Sequence, residues 1–243
     1  METIMKRIYK TELHCHTSEV SPCAHMTGEE TIEKYLAAGY TSLVITNHFD
    51  ACRVGGPMNY KVRYDTYEEQ VIRHYEVIRE IRELAAGRIN IIDGFEMSTY
   101  HSGNDYLVFG MTEEETLSKN LFSLSMEDLK KHINALGCLI IQAHPMRRGM
   151  TIVDPDLVDG YEVYNGDLEA MKYNEVAYHF ALVAGNGKKI LTVGNDHHLR
   201  EEPLRAAILT DVPIEDAKQL VSVLKSGTYS LHVTDADYLP TAD

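Results

Sequence analysis

The chain has 243 residues, 44% hydrophobic and 25% charged, a composition that excludes disorder and supplies enough residues for one sizeable core. The formal net charge is -14, and the cations fall only in short pairs such as Arg147-Arg148 and Lys188-Lys189, which argues against an extensive nucleic-acid surface. The first ten residues lack an apolar signal-type stretch, no run is long enough to span a membrane, and the four cysteines (Cys15, Cys23, Cys52, Cys138) form no CxxC pair. The expectation is a cytoplasmic protein with no membrane partner.

In chain order, short apolar runs predict strands at 6–14, 42–46, 89–92, 106–109, 139–142, 160–164, 190–193 and 206–209. Amphipathic stretches predict helices at 29–38, 67–85, 126–136, 170–184 and 214–225. Ser125 is placed to cap one helix, and Gly39, Gly87 and Gly137 to end three. The alternation argues for an α/β fold, a largely parallel sheet with helices outside, in a single domain over 1–243. The polar stretch 50–64, with Gly55, Gly56 and Pro57, reads as a long loop over one end, a lid. A C-terminal helix and tail occupy 211–243.

The chemistry sits at the strand exits. In Glu12-Leu13-His14-Cys15-His16 the two histidines alternate along a strand, so they share a face and can bind one divalent cation. Thr46-Asn47-His48, Gly94-Phe95-Glu96, Ala143-His144-Pro145 and Gly194-Asn195-Asp196-His197-His198 each follow an apolar run. Any one such histidine is more often a surface or satisfied core residue than a ligand. Five sites at strand exits, which converge on one rim of a parallel barrel, argue for a metal site. Mixed His, Asp and Glu donors suit zinc, iron or manganese, and using them all takes two or three divalent ions.

This order of motifs, from His14 to His198, resembles the PHP (polymerase and histidinol phosphatase) family. The resemblance implies a distorted (β/α)7 TIM-like barrel, phosphoester hydrolysis and a trinuclear metal site. Carried onto this sequence, it implies His14, His16, His48, Glu96, His144, Asp196 and His198 as ligands, with Glu96 bridging two ions. Where the family often has an aspartate after HxH, this chain has Glu19, followed by Cys23 and His25; Glu19 is the favoured ligand. Asn47 stands where an aspartate is usual and reads as structural. Asp105 occupies a slot that often holds histidine and is a candidate ligand, with His101 its rival. His197 reads as a neighbour of the site or as exposed.

The expected function is a phosphoesterase that hydrolyses a small phosphomonoester or nucleotide-type phosphate by metal-activated water. Glu96 would be essential, His198 or His101 would donate a proton to the leaving oxygen, and Arg147 would hold a phosphate through its planar fork, with His101 also placed to touch substrate. Glu162 or Asn165 would orient a ligand histidine, against the plain alternative of a strand-end turn. The competing functions are hydrolysis of a non-phosphate bond, amidohydrolase-like, and a non-catalytic metal-binding module.

Overall fold

The computed structural model describes residues 8–55 and 61–239, and among them the alternation becomes ten strands and six helices. The strands are β1 (Tyr9–Cys15), β2 (Ser42–Ile45), β3 (His48–Asp50), β4 (Asn90–Ser98), β5 (Asp105–Phe109), β6 (Leu139–Gln142), β7 (Gly160–Asn165), β8 (Ile190–Gly194), β9 (Ala206–Thr210) and β10 (Ser230–Val233). The helices are α1 (Gly28–Ala37), α2 (Tyr67–Ala85), α3 (Glu113–Leu117), α4 (Met126–Ala135), α5 (Asn174–Val183) and α6 (Ala217–Ser226).

Local chemistry accounts for the helix ends. Thr27 and Thr112 form capping boxes with Glu30 and Glu115, and the side chains of Thr66, Ser125 and Asp216 each accept from a backbone N–H of the first turn. Gly227 ends α6 at φ 68°, a conformation open to glycine at little cost. In α2 the buried Val71, His74, Tyr75, Ile78 and Ile81 recur at three- and four-residue spacing, so one stripe packs inward. The helix expected from 170 begins instead at Asn174, because Met171–Tyr173 is a 3-10 turn.

The sheet runs β10-β9-β1-β2-β4-β5-β6-β7-β8, with β3 paired to β4 alongside. It closes where β8 returns to β1: Asp196 N donates to His14 O at 2.9 Å, and Cys15 bridges His197 in parallel. Seven strands therefore form a TIM-like ring, and β9 and β10 extend outward from the Tyr9–Thr11 end of β1. β2, β6 and β7 are buried along their whole length, as expected where both faces of a strand are covered.

The parallel order breaks at β5, which is antiparallel to both β4 and β6. Reversal puts the first residue of β5 at the rim where its neighbours end. The strand expected from residue 6 begins at Tyr9, and Lys6 lies outside the described residues. Within 50–64, Asp50 ends β3, Ala51–Arg53 forms a 3-10 turn and Val54 bridges Tyr64. Arg53 is anchored by Asp50 at 2.8 Å and by Val20 O at 2.7 Å. The centre of the expected lid, 56–60, lies outside the described residues. None of the described helices is long and apolar enough to cross a membrane.

Candidate metal centre

The strand exits bring eight of the nine expected ligands together at one rim, in four overlapping groups: His14-His16-Glu96, His14-His144-Asp196, Glu96-Asp105-His144 and His16-His48-His198. His14 is the last residue but one of β1 and His16 lies just past its end, both on one face. His48 and Glu96 are register partners across β3 and β4. His144 and Asp196 lie two residues beyond β6 and β8, and Asp105 arrives through the reversal of β5.

Nitrogen and oxygen atoms crowd inward here. The Nε2 atoms of His14 and His16 stand 3.1 Å apart. Glu96 Oε1 lies 3.3 Å from His14 Nε2 and 3.0 Å from His144 Nε2; its Oε2 lies 3.0 Å from His48 Nδ1 and 3.3 Å from His16 Nε2. Asp196 Oδ1 is 3.3 Å from His14 Nε2 and 3.1 Å from His16 Nε2. Yet Asp196 Oδ1 and His48 Nδ1 are buried without a properly aimed hydrogen bond. Close approach that leaves these two buried atoms without a hydrogen bond, in a mixed imidazole and carboxylate donor set, fits divalent cations of the zinc, manganese or iron kind.

The electrostatics agree. Burial opposes charge on Glu96 and Asp196, but the surrounding imidazoles outweigh it and hold both carboxyls well below the usual range. Burial likewise opposes a proton on His14, but Asp196, Glu162 and Glu96 raise its pKa well above the ordinary value. Burial, with the charge of Glu96, pushes Asp105 up to about 6, against His144 and Arg147. The buried centre demands positive charge, which a cation supplies in place of protons. His144 and Asp196 also adopt positive φ, 26° and 47°, strained backbone of the kind that collects at functional sites.

The surrounding residues fix the rings. His14 Nδ1 donates to Glu162 Oε1 at 2.9 Å, which turns Nε2 inward as the ligand atom. His16 Nδ1 meets Ser21 Oγ at 3.4 Å, and Ser21 Oγ in turn donates to Asn47 Oδ1 at 2.9 Å. Asn47 also accepts from Thr17 N at 2.7 Å, so it ties the loop after β1 to the exit of β2. Asn165 Nδ2 donates to Glu162 at 2.8 Å and to Asp196 at 3.1 Å.

Three expectations take a different form. Glu19 is outside the cluster: its Oε1 accepts from Gly28 N at 2.7 Å, where the N-terminus of α1 attracts an anion. His101 is exposed and belongs to none of the four groups, so of the two rivals Asp105 is the one at the cluster. His197 is buried, accepting from Lys34 Nζ at 2.6 Å, and burial together with the Lys34 charge lowers its pKa to about 3.

Glu12 is the functional neighbour that the motif held unassigned. Its Oε1 accepts from Leu13 N, His14 N and Asn195 N at 3.0, 2.8 and 3.0 Å, and its Oε2 accepts from Asn195 Nδ2. Burial pushes its pKa up to about 7. The pair stitches β1 to the β8 exit where the ring closes. The available signal was an acidic residue two before His14, on the same strand face.

Above the cluster opens a cavity of about 530 Å³, walled by Cys23, His48, Glu96, Asp196 and His198 and by Arg147, Arg148 and Glu202 on the loops. Arg147 donates to Asp105 Oδ2 at 2.8 Å.

No family model matches the sequence, and no curated protein does. Solved structures do. PsfC from Pseudomonas syringae aligns at TM-score 0.64 and 14% identity, covering 94% of this chain and 93% of that one. A two-domain protein from Bacteroides vulgatus containing a predicted PHP-like metal-dependent phosphoesterase aligns at TM-score 0.60 and 12% identity, covering 93% and 65%. The lesion-specific endonuclease PfuEndoQ from Pyrococcus furiosus aligns at TM-score 0.56 and 14% identity, covering 93% and 58%. The chain thus spans less than two thirds of the last two. At these identities the likeness speaks to architecture, and the chain has the barrel fold of the PHP-like structures that its motifs resemble.

Proposed function

We propose that this protein is a metal-dependent hydrolase of phosphoric esters, acting on a small phosphomonoester or nucleotide-type phosphate. The observation that carries this reading is the four overlapping donor groups built from eight histidines and carboxylates at one rim. Two or three zinc, manganese or iron ions held by these groups would supply Lewis acidity toward a phosphoryl oxygen and a lowered pKa for water.

The chain's own residues do the rest. Arg147 and Arg148 stand on the cavity wall, where a guanidinium fork can take two phosphate oxygens. Asp105 holds Arg147 in place from behind. The cavity size suits a small ligand. The net charge of -14 favours such a ligand over a long polyanion, although PfuEndoQ is by name an endonuclease. His198 gives its Nδ1 proton to Asp196 O at 2.8 Å, which leaves Nε2 as its free atom. As a ligand it then has no proton for the leaving group, so we assign His198 to cation binding rather than acid catalysis. His101, exposed and outside the donor groups, is assigned no part in cation binding. All four cysteines are free, which supports a cytoplasmic location.

The test joins elemental analysis of chelator-free protein to turnover of a generic aryl phosphate. Two or three ions per chain, chelator-sensitive turnover, and loss of both in Glu96→Gln are expected. Metal-loaded protein that leaves phosphoesters intact but cleaves amides would replace this reading with the amidohydrolase-like one.

A further inference from the structure

Resting on the metal reading above, we propose that Cys23 is a thiolate ligand of one cation, completing a site with His16, His48 and His198. Three of the four donor groups contain a carboxylate of their own; the group His16-His48-His198 contains none. An imidazole triad supplies no charge to offset a divalent ion, and the carboxylates beside it, Glu96 and Asp196, already belong to the other groups, so this group has no anion of its own. Glu19, the acidic residue that sequence places nearest, is turned to the amide of Gly28. The side chain available to supply an anion is Cys23, which shares the cavity wall with His48 and His198 and whose thiol couples electrostatically to both imidazoles.

The loop holds it there. Ser21 N donates to Thr17 O at 3.1 Å, Ala24 N to Ser21 O at 2.9 Å, and Ser18 N to Met26 O at 2.8 Å, so the loop folds back on itself around Cys23. His25 N donates to His198 O at 2.8 Å, which fastens the cysteine segment directly to one of the three histidines. One thiolate with three imidazoles is a donor set that zinc takes in tetrahedral form, and the sulfur would bias this position toward a softer ion than its oxygen-rich neighbours take. Binding releases the thiol proton to solvent and forms one sulfur–metal bond, with no redox change.

Cobalt(II) is the probe, because a thiolate ligand gives it a near-ultraviolet charge-transfer band that imidazole and carboxylate ligands do not. Apo protein titrated with cobalt should develop that band. Cys23→Ser should lose it and hold one cation fewer per chain, while Cys52→Ser, altered at the other exposed cysteine, should keep it. In unaltered protein, zinc loading should protect Cys23 from iodoacetamide in peptide mass mapping, a readout independent of any variant. Cobalt uptake without the band, a band that survives Cys23→Ser, or alkylation of Cys23 unaffected by zinc would overturn the thiolate ligand while leaving the metal centre standing. A chain that takes up no cobalt at all would overturn both.

Discussion

Glu162 holds His14 through one carboxylate oxygen, at 2.9 Å from Nδ1, and the backbone N of His144 through the other, also at 2.9 Å. One buried carboxylate thus sets the tautomer of one candidate ligand and the strained backbone of another. Partners of this kind typically carry about 10–100-fold in metal affinity. Glu162→Ala should therefore weaken cation binding by roughly that factor. Glu162→Gln, which keeps one acceptor oxygen, should weaken it less. Competition against a fluorescent chelator reads both, and unchanged affinity in the alanine variant would remove Glu162 from the centre.

Gly194 lies where β8 meets the cluster. A Cβ there would collide with His14 Cβ and sit 2.7 Å from Glu162 Oε1. Both neighbours are buried, so neither can swing away. Gly194→Ala should cost about 1–3 kcal/mol by overpacking. It should also lower the ion content by displacing His14. Thermal unfolding of the apo protein and elemental analysis of the loaded protein measure the two effects separately. Full ion content would mean that the centre tolerates a shift of His14.

Much of this centre was legible in the sequence because strand alternation and strand exits are local signals. His14 and His16 share a face by the two-residue period, and the apolar runs before Asn47-His48, Ala143-His144 and Asn195-Asp196 mark strands whose ends meet at a rim. Other features depend on tertiary pairing. The reversal of β5 that delivers Asp105 leaves no trace in its apolar run, which reads alike in parallel and antiparallel sheets. Three-residue β3 and the partly exposed β10 are too short or too polar for a periodic signal. Glu19 and Cys23 lie in one irregular loop, where spacing does not say which side chain turns inward. The choice is made by the amide of Gly28, which the fold brings to Glu19.

Arg147 touches Asp105 and faces the cavity, so its removal should act on substrate capture more than on the chemical step. A charge-assisted hydrogen bond contributes about 1.5–3 kcal/mol, which corresponds to roughly 10–100-fold. Arg147→Ala should raise KM for an aryl phosphate by about that factor with a smaller change in kcat. Arg147→Lys should restore only part, since an ammonium cannot grip two oxygens in a plane. An unchanged KM in the alanine variant would assign Arg147 to the loop alone.

His74 sits within the apolar packing of α2, against Phe49, Tyr75 and Phe95, with Nε2 donating to Gly94 O at 2.9 Å. Burial lowers its pKa from the ordinary 6.5 to about 4. The folded chain therefore refuses a proton that the unfolded chain accepts between those values. The stability that His74 confers as a neutral ring is complete above about pH 6.5 and falls as the pH drops toward about 4, by about 3 kcal/mol at most. His74→Gln keeps a donor for Gly94 O but does not titrate. In denaturant unfolding of the two apo proteins across this range, the variant should lose less stability on acidification, and proton uptake on unfolding near pH 5 should drop by about one. The histidines of the metal centre are common to both proteins and cancel in the difference. Parallel curves for the two would mean that His74 accepts its proton inside the fold, through an opening of α2 that lets water reach Nδ1.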